Sequence, residues 1–294
     1  MKPPATILVA TDFSPPAGLA VDRAAQLARD HGARLVLLHA FDLSRWRNLR
    51  ALATPKRRLI ADQPNARAGA ALRALAERLQ RAHGIRVTAR MAMGRTAQAI
   101  AAAGRAESAG LVVLGPHGRR MGDALLLGST ALAVARGSAC PALVVRNPAP
   151  SAYARALVGL DFSPASERAT RAAATLAPGA RITLLHAVQS VEGPMLLTGA
   201  LQEAIRSAKV ALRKRAAARL EAAFPAPQPG RLAAARRRAV IGPAAPALLK
   251  LAKQGSFELI AVGRDARAAL AERVLGSVPA NLLMHARADL LIAP

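Results

Sequence analysis

Glycines and hydroxyl side chains in the first half of the chain have a spacing that suits the binding of an anion. Residues 115–118 read Gly-Pro-His-Gly, and after nine further residues the segment 128–130 reads Gly-Ser-Thr, which gives the pattern G-x2-G-x9-G-S. Glycine lets a backbone turn tightly and come close to a ligand. The amides and hydroxyls of 128–130 fall at the predicted start of a helix, where the helix dipole favours phosphate. The pattern therefore predicts a phosphate site.

Asp12 is the acidic residue that we expect to complete this site. It lies just past the first predicted strand. In an open α/β sheet, ligands bind at the carboxyl ends of the strands, where the strand order reverses. If the first and fourth strands are neighbours, Asp12 faces the same crevice as the glycines and can accept hydrogen bonds from a ribose or a base. A glycine after a strand is most often only a turn residue, so the prediction depends on the whole combination.

Known nucleotide fingerprints of other kinds are missing from the sequence. The chain has no Walker A pattern and no dinucleotide-binding pattern after the first predicted strand. The predicted site is therefore of a different type from either of these.

The sequence contains an internal repeat that covers both halves of the chain. The repeated segments are Asp-Phe-Ser-Pro at 12–15 and 161–164, Leu-Leu-His at 37–39 and 184–186, and Leu-Gly-Ser at 127–129 and 275–277. Self-similarity over a full half-length indicates two copies of one fold. We therefore predict two domains, 1–148 and 152–294, joined by a polar, proline-containing stretch.

Within each copy, short β-branched runs alternate with longer amphipathic stretches, which is typical of βαβ units and a parallel sheet. The fold class is therefore α/β, with two tandem, doubly wound, five-stranded domains of Rossmann-like type. Ser14 and Ser163, each followed by proline, are predicted to cap the first helix of each copy. The predicted strands are 6–10, 34–39, 85–91, 111–114 and 142–146 in the first copy, and 156–160, 181–186, 232–240, 259–262 and 290–293 in the second.

Composition excludes several classes of protein. The chain has 294 residues, 52% hydrophobic and only 2% aromatic, so Ala, Leu, Val and Ile must form the cores and disorder is excluded as the main state. A single cysteine excludes a disulfide framework and a cysteine-based zinc site. No apolar run approaches the length of a membrane span, so we expect a cytoplasmic protein without membrane insertion.

The net charge of +25 is spread over both halves. Few aromatic side chains are available to stack on bases, and no helix-turn-helix or zinc pattern is present. A solvated basic surface is the favoured interpretation, with nonspecific attraction to anionic polymers at low salt.

Taken together, the motifs resemble the universal stress protein family over nearly the whole chain. The shared features are a first strand ending in Asp-Phe-Ser, a second ending in Leu-Leu-His, a glycine before the third helix at Gly94 and Gly242, and the G-x2-G-x9-G-[ST] signature. The resemblance implies a fold like that of the adenine nucleotide alpha hydrolases. It also implies that ATP or another adenine nucleotide binds, with or without Mg²⁺. The residues that match the nucleotide-binding positions are Asp12, Ala40 by its main chain, Gly115, His117, Gly118, Gly128, Ser129 and Thr130.

Two departures from the family pattern bear on affinity. Pro116 stands where many members have serine, which removes one hydroxyl and one N–H from the first site. In the second copy Ala266 replaces the second glycine, and Asp265 places a negative charge near the phosphates. We therefore expect the first copy to bind nucleotide and the second to bind it weakly or not at all. The residues of this weak second site are Asp161, Ala187, Gly263, Gly276 and Ser277.

The sequence predicts no catalytic residue and no metal site. His39 and His186 end the second predicted strands, where a repeated histidine is more often a hydrogen-bonded structural residue than a base. His117 lies inside the glycine segment, but no nucleophile or carboxylate pair accompanies it. Cys140 is interpreted as a small buried core thiol.

The resemblance favours a regulatory module of the stress response that binds ATP and hydrolyses it slowly or not at all. Its two domains are expected to pack as an intramolecular pseudo-dimer, with a homodimer and an unidentified protein partner as further associations. Two other hypotheses remain open. One is a scaffold that binds no nucleotide, and the other is a weak, metal-dependent ATPase.

Overall fold

The computed structural model describes residues 2–41, 55–118, 128–149, 151–188, 199–223, 232, 234–264 and 275–294. The chain divides into two compact units, Met1–Ser151 and Ala152–Ala293. Each unit contains one parallel β-sheet with helices between its strands. None of the helices in the described ranges is both long and apolar enough to cross a membrane.

The sheet of the first unit has the strand order β3-β2-β1-β4-β5, with every pair parallel. Because the chain passes from one side of β1 to the other after β3, the strand order reverses between β1 and β4. The elements are β1 (Thr6–Ala10), α1 (Pro15–His31), β2 (Arg34–Phe41), α2 (Pro55–His83), β3 (Val87–Met93), α3 (Thr96–Ala106), β4 (Leu111–Leu114), α4 (Ser129–Gly137) and β5 (Ala142–Val144).

The second unit repeats this topology with the order β8-β7-β6-β9-β10, again parallel. Its elements are β6 (Arg155–Gly159), α5 (Pro164–Leu176), β7 (Arg181–Val188), α6 (Gly199–Ala223), β8 (Arg236–Ile241), α7 (Ala244–Gly255), β9 (Leu259–Gly263), α8 (Ser277–His285) and β10 (Asp289–Ala293). The expectation of two five-stranded, doubly wound sheets is confirmed.

Serine caps start the first helix of each unit, as the sequence predicted. The hydroxyl of Ser14 accepts the Ala17 N–H at 3.4 Å, and that of Ser163 accepts the Ser166 N–H at 3.1 Å. The proline that follows each serine has no N–H to leave unsatisfied, so it fits the first helical turn. Both helices therefore begin directly after the turn that leaves the first strand.

The cores are built from aliphatic residues of two sizes. The central strands are continuous apolar runs, such as Leu35–Leu38, in which each residue is at most 1% exposed. Alanines on the helix faces, among them Ala20, Ala24 and Ala28, are fully buried. Small helix residues let the backbone lie close to the bulky strand side chains, so dense packing is reached with few aromatic rings.

Several predicted strand ends were wrong. Strand β2 continues to Phe41 instead of ending at residue 39, because its ladder with β3 persists and the Gly94 N–H then donates to the Phe41 carbonyl oxygen at 2.9 Å. Ala40 therefore lies inside β2, and Ala187 likewise lies inside β7. Strands β3 and β8 begin two and four residues later than predicted, at Val87 and Arg236.

Candidate functional site

The first unit brings Asp12 and the glycine segment to the same edge of its sheet. Strands β1 and β4 are paired, with Val9 opposite Val113. Asp12 lies two residues past the end of β1, and Gly115 directly follows β4. The condition set by the sequence, that the first and fourth strands are neighbours, is thus met, and these residues lie where the strand order reverses.

A tight turn fixes the carboxylate of Asp12. Its Oδ1 atom accepts the Ser14 N–H at 3.0 Å and the Ser14 hydroxyl at 2.5 Å. Phe13, between them, has φ of +61°, a left-handed conformation that is costly for a bulky residue. The Phe13 ring lies 5.0 Å from the His39 ring, centroid to centroid. One carboxylate oxygen is thus used to hold the turn.

The other oxygen of Asp12 faces the glycine segment. A Cβ atom placed on Gly118 would lie only 2.5 Å from Asp12 Oδ2. Any side chain at residue 118 would therefore displace this carboxylate. The close approach shows that Asp12 and the second glycine of the signature border the same space.

The remaining glycines of the signature are also places of close approach. A Cβ on Gly115 would lie 2.9 Å from the carbonyl oxygen of Pro16, at the start of α1. A Cβ on Gly128 would lie 3.1 Å from the Cα of His117, and the Gly128 N–H donates to the Pro116 carbonyl oxygen at 2.8 Å. The glycine loop, defined here as residues 115–118, is thereby held against both α1 and the start of α4.

Helix α4 begins next to this loop, and its first amides have no partner within the helix. Gly128 is its N-cap residue and has no side chain with which to cap the helix. The first hydrogen bond of the helix runs from the Leu132 N–H to the Gly128 carbonyl oxygen, so the amides of Ser129, Thr130 and Ala131 have no acceptor within the helix. The first turn contains no acidic residue. These donors, with the hydroxyls of Ser129 and Thr130, suit an anion.

His117 contributes a polar atom that lacks a partner among the described residues. The side chain is half-buried, and its Nδ1 atom is buried without a hydrogen bond to any part of the chain that the structure describes. An unsatisfied buried nitrogen costs free energy unless a ligand or water pairs with it. The imidazole is therefore available to a molecule bound in the loop.

Ala40 lies on β2, in register with Ala92 of β3, and is half-buried. Because β2 is adjacent to β1, the end of β2 borders the same carboxyl edge of the sheet as Asp12. The main chain of Ala40 is thus placed near the site by topology, although it belongs to a strand instead of the loop after it.

The second unit builds the same turn around Asp161. Its Oδ1 accepts the N–H and the hydroxyl of Ser163 at 3.0 and 2.6 Å, and Phe162 has φ of +64°. Burial alone would raise the pKa of Asp161, but hydrogen bonds from Ser163 and Ser166 outweigh it, so the pKa lies below its ordinary value. The local structure thus favours the charged form.

Other predicted residues of the second site also lie at the carboxyl edge of its sheet. A Cβ on Gly263 would lie 2.7 Å from the backbone of Ala165, and the Gly276 N–H donates to the Arg264 carbonyl oxygen at 3.1 Å. Ser277 begins α8, and Ala187 is half-buried in β7. Asp265 and Ala266, which the sequence analysis singled out, lie outside the described residues.

Arg219 is a residue that the sequence analysis did not connect with the site. Its guanidinium carbon lies 4.1 Å from the centroid of the Phe162 ring, so a cation stands over the turn that holds Asp161. The only sequence signal was its position on an arginine-rich helix, which does not reveal a contact with a residue 57 positions earlier.

His39, His186 and Cys140, which lie outside the glycine loop, make contacts with the surrounding protein. Nδ1 of His39 donates to the Thr11 carbonyl oxygen and Nδ1 of His186 to that of Leu160, both at 2.7 Å, as expected for hydrogen-bonded structural residues. Cys140 is half-buried, not fully buried, and burial raises the pKa of its thiol despite a contact with Ser138. Within the described ranges, no three His, Cys, Asp or Glu side chains are grouped as metal ligands.

Comparison with known proteins assigns the fold and the family. The model of the Universal stress protein family matches residues 5–146 and, a second time, residues 152–294. Universal stress proteins of Mycobacterium tuberculosis and Mycobacterium bovis are each 33% identical to this chain over 193 residues, which is 62% of this chain and 61% of the length of each relative.

Solved structures resemble the chain over nearly its full length. A universal stress protein from Archaeoglobus fulgidus has a TM-score of 0.67 at 17% identity, covering 98% of this chain and 97% of that one. A functionally unknown protein from Pseudomonas aeruginosa has a TM-score of 0.66 at 22% identity, covering 99% and 92%. At these identities the structures support the fold, while the two family matches, one in each unit, show that this chain belongs to the universal stress protein family.

Proposed function

We propose that the first unit binds ATP or another adenine nucleotide and that this binding serves a regulatory role in the stress response. The observation that carries the proposal is the set of unpaired donors around the glycine loop. The α4 amides follow Gly128, which approaches His117, the Nδ1 of His117 has no partner among the described residues, and the adjacent Gly118 borders Oδ2 of Asp12. Donors for phosphate and an acceptor for sugar hydroxyls are thus adjacent.

The chemistry of these groups assigns parts of the nucleotide to parts of the site. Amides and hydroxyls at 128–130 suit the phosphates, because backbone N–H groups at a helix start favour anions. The Asp12 carboxylate suits the ribose hydroxyls, since it can only accept hydrogen bonds and would repel a phosphate. The main chain at Ala40 is left for the adenine edge.

The same groups favour binding over rapid turnover. One oxygen of Asp12 is engaged by Ser14, and His117 has no carboxylate partner in the described part of the chain to orient it as a base. Mg²⁺ enters the proposal only as a counter-ion carried by the phosphates, because the described residues form no three-ligand cluster. Hydrolysis is accordingly proposed to be slow or negligible.

The second unit is proposed to bind nucleotide weakly or not at all. Its turn around Asp161 matches that around Asp12, but the sequence has alanine at 266, where the first unit has Gly118. In the first unit a Cβ at that position would collide with the Asp12 carboxylate. A Cβ together with the charge of Asp265 would disfavour phosphate in the second unit.

Calorimetric titration of the full chain with ATP tests the proposal. We expect one site per chain and a loss of at least about tenfold in affinity for Gly118→Val, because its side chain would displace the Asp12 carboxylate. Gly137→Ala is the matched control, since a Cβ at that residue meets no atom within 4 Å. Its affinity for ATP should equal that of the unchanged chain.

Other outcomes select the competing hypotheses. No binding, together with no nucleotide released on denaturing the purified protein, would leave the scaffold hypothesis. Steady formation of ADP that Gly118→Val abolishes would favour the ATPase. Two equal sites per chain would refute the proposed difference between the units.

A further inference from the structure

A basic cavity occupies the second unit at the amino ends of β6, β7 and β8, the opposite edge of that sheet from Asp161. Its volume is about 300 Å³. Four arginines line it, from three adjacent strands, together with Thr183 and the ring of Phe257. The arginines are Arg155, Arg181, Arg236 and Arg238.

Strand register explains why the four arginines converge. Arg155 of β6 is opposite Arg181 of β7, and Thr183, two residues further along β7, is opposite Arg236 of β8. Alternate residues of a strand share a face, so Arg236 and Arg238 lie on the same side of β8. Arg237, between them, instead forms an ion pair with Glu221 of α6 at 3.2 Å.

None of the four cavity arginines has an ion pair or a side-chain hydrogen bond with any residue that the structure describes. The nearby acidic residue Glu258 uses its carboxylate to accept the backbone N–H groups of Ala154 and Arg155. Several unneutralised guanidinium groups around one cavity repel each other and create a strongly positive potential. A bound anion would relieve this repulsion.

In the first unit a carboxylate pairs with the arginines at the corresponding place. There, Glu107 pairs with Arg34 at 2.9 Å and with Arg90 at 3.0 Å, and its side chain is only 12% exposed. By topology, Arg34 and Arg90 correspond to Arg181 and Arg238.

The residue that corresponds to Glu107 in the second unit is Gly255. Each follows or ends the equivalent helix and precedes a serine with positive φ, Ser108 at +48° and Ser256 at +47°. The second unit has thus replaced the neutralising carboxylate by glycine, and two positions that are Thr6 and Thr88 in the first unit are arginines, Arg155 and Arg236. Arginines that a carboxylate pairs in the first unit thus have no such partner among the described residues of the second.

We propose that this cavity binds a small organic anion carrying two or more phosphate groups. Guanidinium groups bind phosphate oxygens through paired, charge-assisted hydrogen bonds, and several of them can grip more than one phosphate. Phe257 and Leu251 supply an apolar wall for the organic part. The volume is at the small end of the range for ligand pockets, which favours a compact molecule over a nucleic acid strand.

Titration of the full chain with inorganic pyrophosphate tests this site. All proteins carry Gly118→Val, which weakens binding at the glycine loop and leaves any residual contribution of the first unit equal in every protein compared, and the ionic strength is about 0.15 M. We expect Arg236→Ala/Arg238→Ala to lose at least about tenfold in affinity. The matched control, Arg213→Ala/Arg215→Ala, removes the same charge from exposed positions on α6 and should bind like the parent.

A second variant fills the cavity without removing an arginine. Gly255→Glu restores the carboxylate found in the first unit, and its side chain must displace the Phe257 ring, which is the group nearest to a Cβ there. We expect this variant also to lose pyrophosphate binding while keeping the parent's thermal unfolding midpoint to within a few degrees.

Three results would overturn the inference. The first is unchanged pyrophosphate affinity in both cavity variants. The second is an equal loss in the α6 control, which would mean that general surface charge binds the anion. The third is that a short single-stranded oligonucleotide binds only when Arg236 and Arg238 are present, while pyrophosphate does not bind at all. This result would mean that the arginines bind a nucleic acid backbone.

Discussion

The two units share the turn after their first strand almost atom for atom but differ at both edges of their sheets. The aspartate accepts a serine N–H at 3.0 Å in each, the intervening phenylalanine has φ of +61° or +64°, and the histidine bonds a carbonyl oxygen at 2.7 Å in each. This turn is therefore part of the fold. An aspartate at this place does not by itself indicate a ligand.

The differences between the units are better guides to function than the similarities. At the carboxyl edge, Gly118 leaves space beside Asp12, whereas the second unit has alanine in the equivalent position of the sequence. At the amino edge, Glu107 neutralises two arginines, whereas Gly255 leaves four arginines unpaired within the described chain. The two proposed sites accordingly use opposite edges of two sheets with the same topology.

The largest loss of stability is expected on substituting the first glycine of the glycine signature, which lies close to the first helix in both units. A Cβ at Gly115 or Gly263 would lie 2.9 or 2.7 Å from the backbone of the first helix of its unit. Backbone cannot move aside as a flexible side chain can, so we expect Gly115→Ala and Gly263→Ala each to lower the free energy of unfolding by about 1–3 kcal/mol. Urea unfolding followed by circular dichroism measures this change.

Matched glycines are available as controls for these substitutions. A Cβ on Gly137 in the first unit or Gly179 in the second meets no atom within 4 Å, and neither residue has positive φ. Their alanine variants should keep or slightly raise stability. If Gly115→Ala retained full stability but lost nucleotide binding, this glycine would belong to the ligand site instead of the framework.

A smaller and equal effect is expected at the two helix caps. Ser14→Ala and Ser163→Ala each remove the acceptor for the first-turn amide and one hydrogen bond to the preceding aspartate. Each should lower the free energy of unfolding by about 1 kcal/mol. Ser207→Ala, at an exposed position within α6, is the control and should change it little. A large loss in only one unit would show that the two turns are not energetically equivalent.

Local sequence patterns were sufficient for the caps and for the place of the glycine loop after the fourth strand. A Ser-Pro pair after a strand marks a helix start because the serine caps the helix and the proline fits its first turn, and the repeat contains this pair twice. The end of β2 could not be predicted in this way, since it depends on Gly94, more than fifty residues away, continuing the ladder. The unpaired state of Arg236 and Arg238 depends likewise on which residues three separate strands bring together, which a pattern along the chain does not contain.

The smallest effect concerns the charge of Asp161. Hydrogen bonds hold the folded-state pKa of Asp161 below the ordinary value of 3.8. The ionised group therefore stabilises the second unit at pH values above the pKa that it has in the unfolded chain. This stabilisation is lost as the pH falls through the folded-state pKa. Asp161→Asn keeps an oxygen that can accept the Ser163 N–H but removes the charge. The stability difference between the unchanged chain and this variant should therefore be constant near neutral pH, begin to shrink as the pH falls towards 3.8, and level off only below the lower folded-state pKa. Since Asp161 is exposed, the difference should be smaller than that produced by Ser163→Ala. A difference that instead grew as the pH fell would mean that the turn favours the protonated carboxyl, and the hydrogen bonds from Ser163 would not be the interactions that hold this turn together.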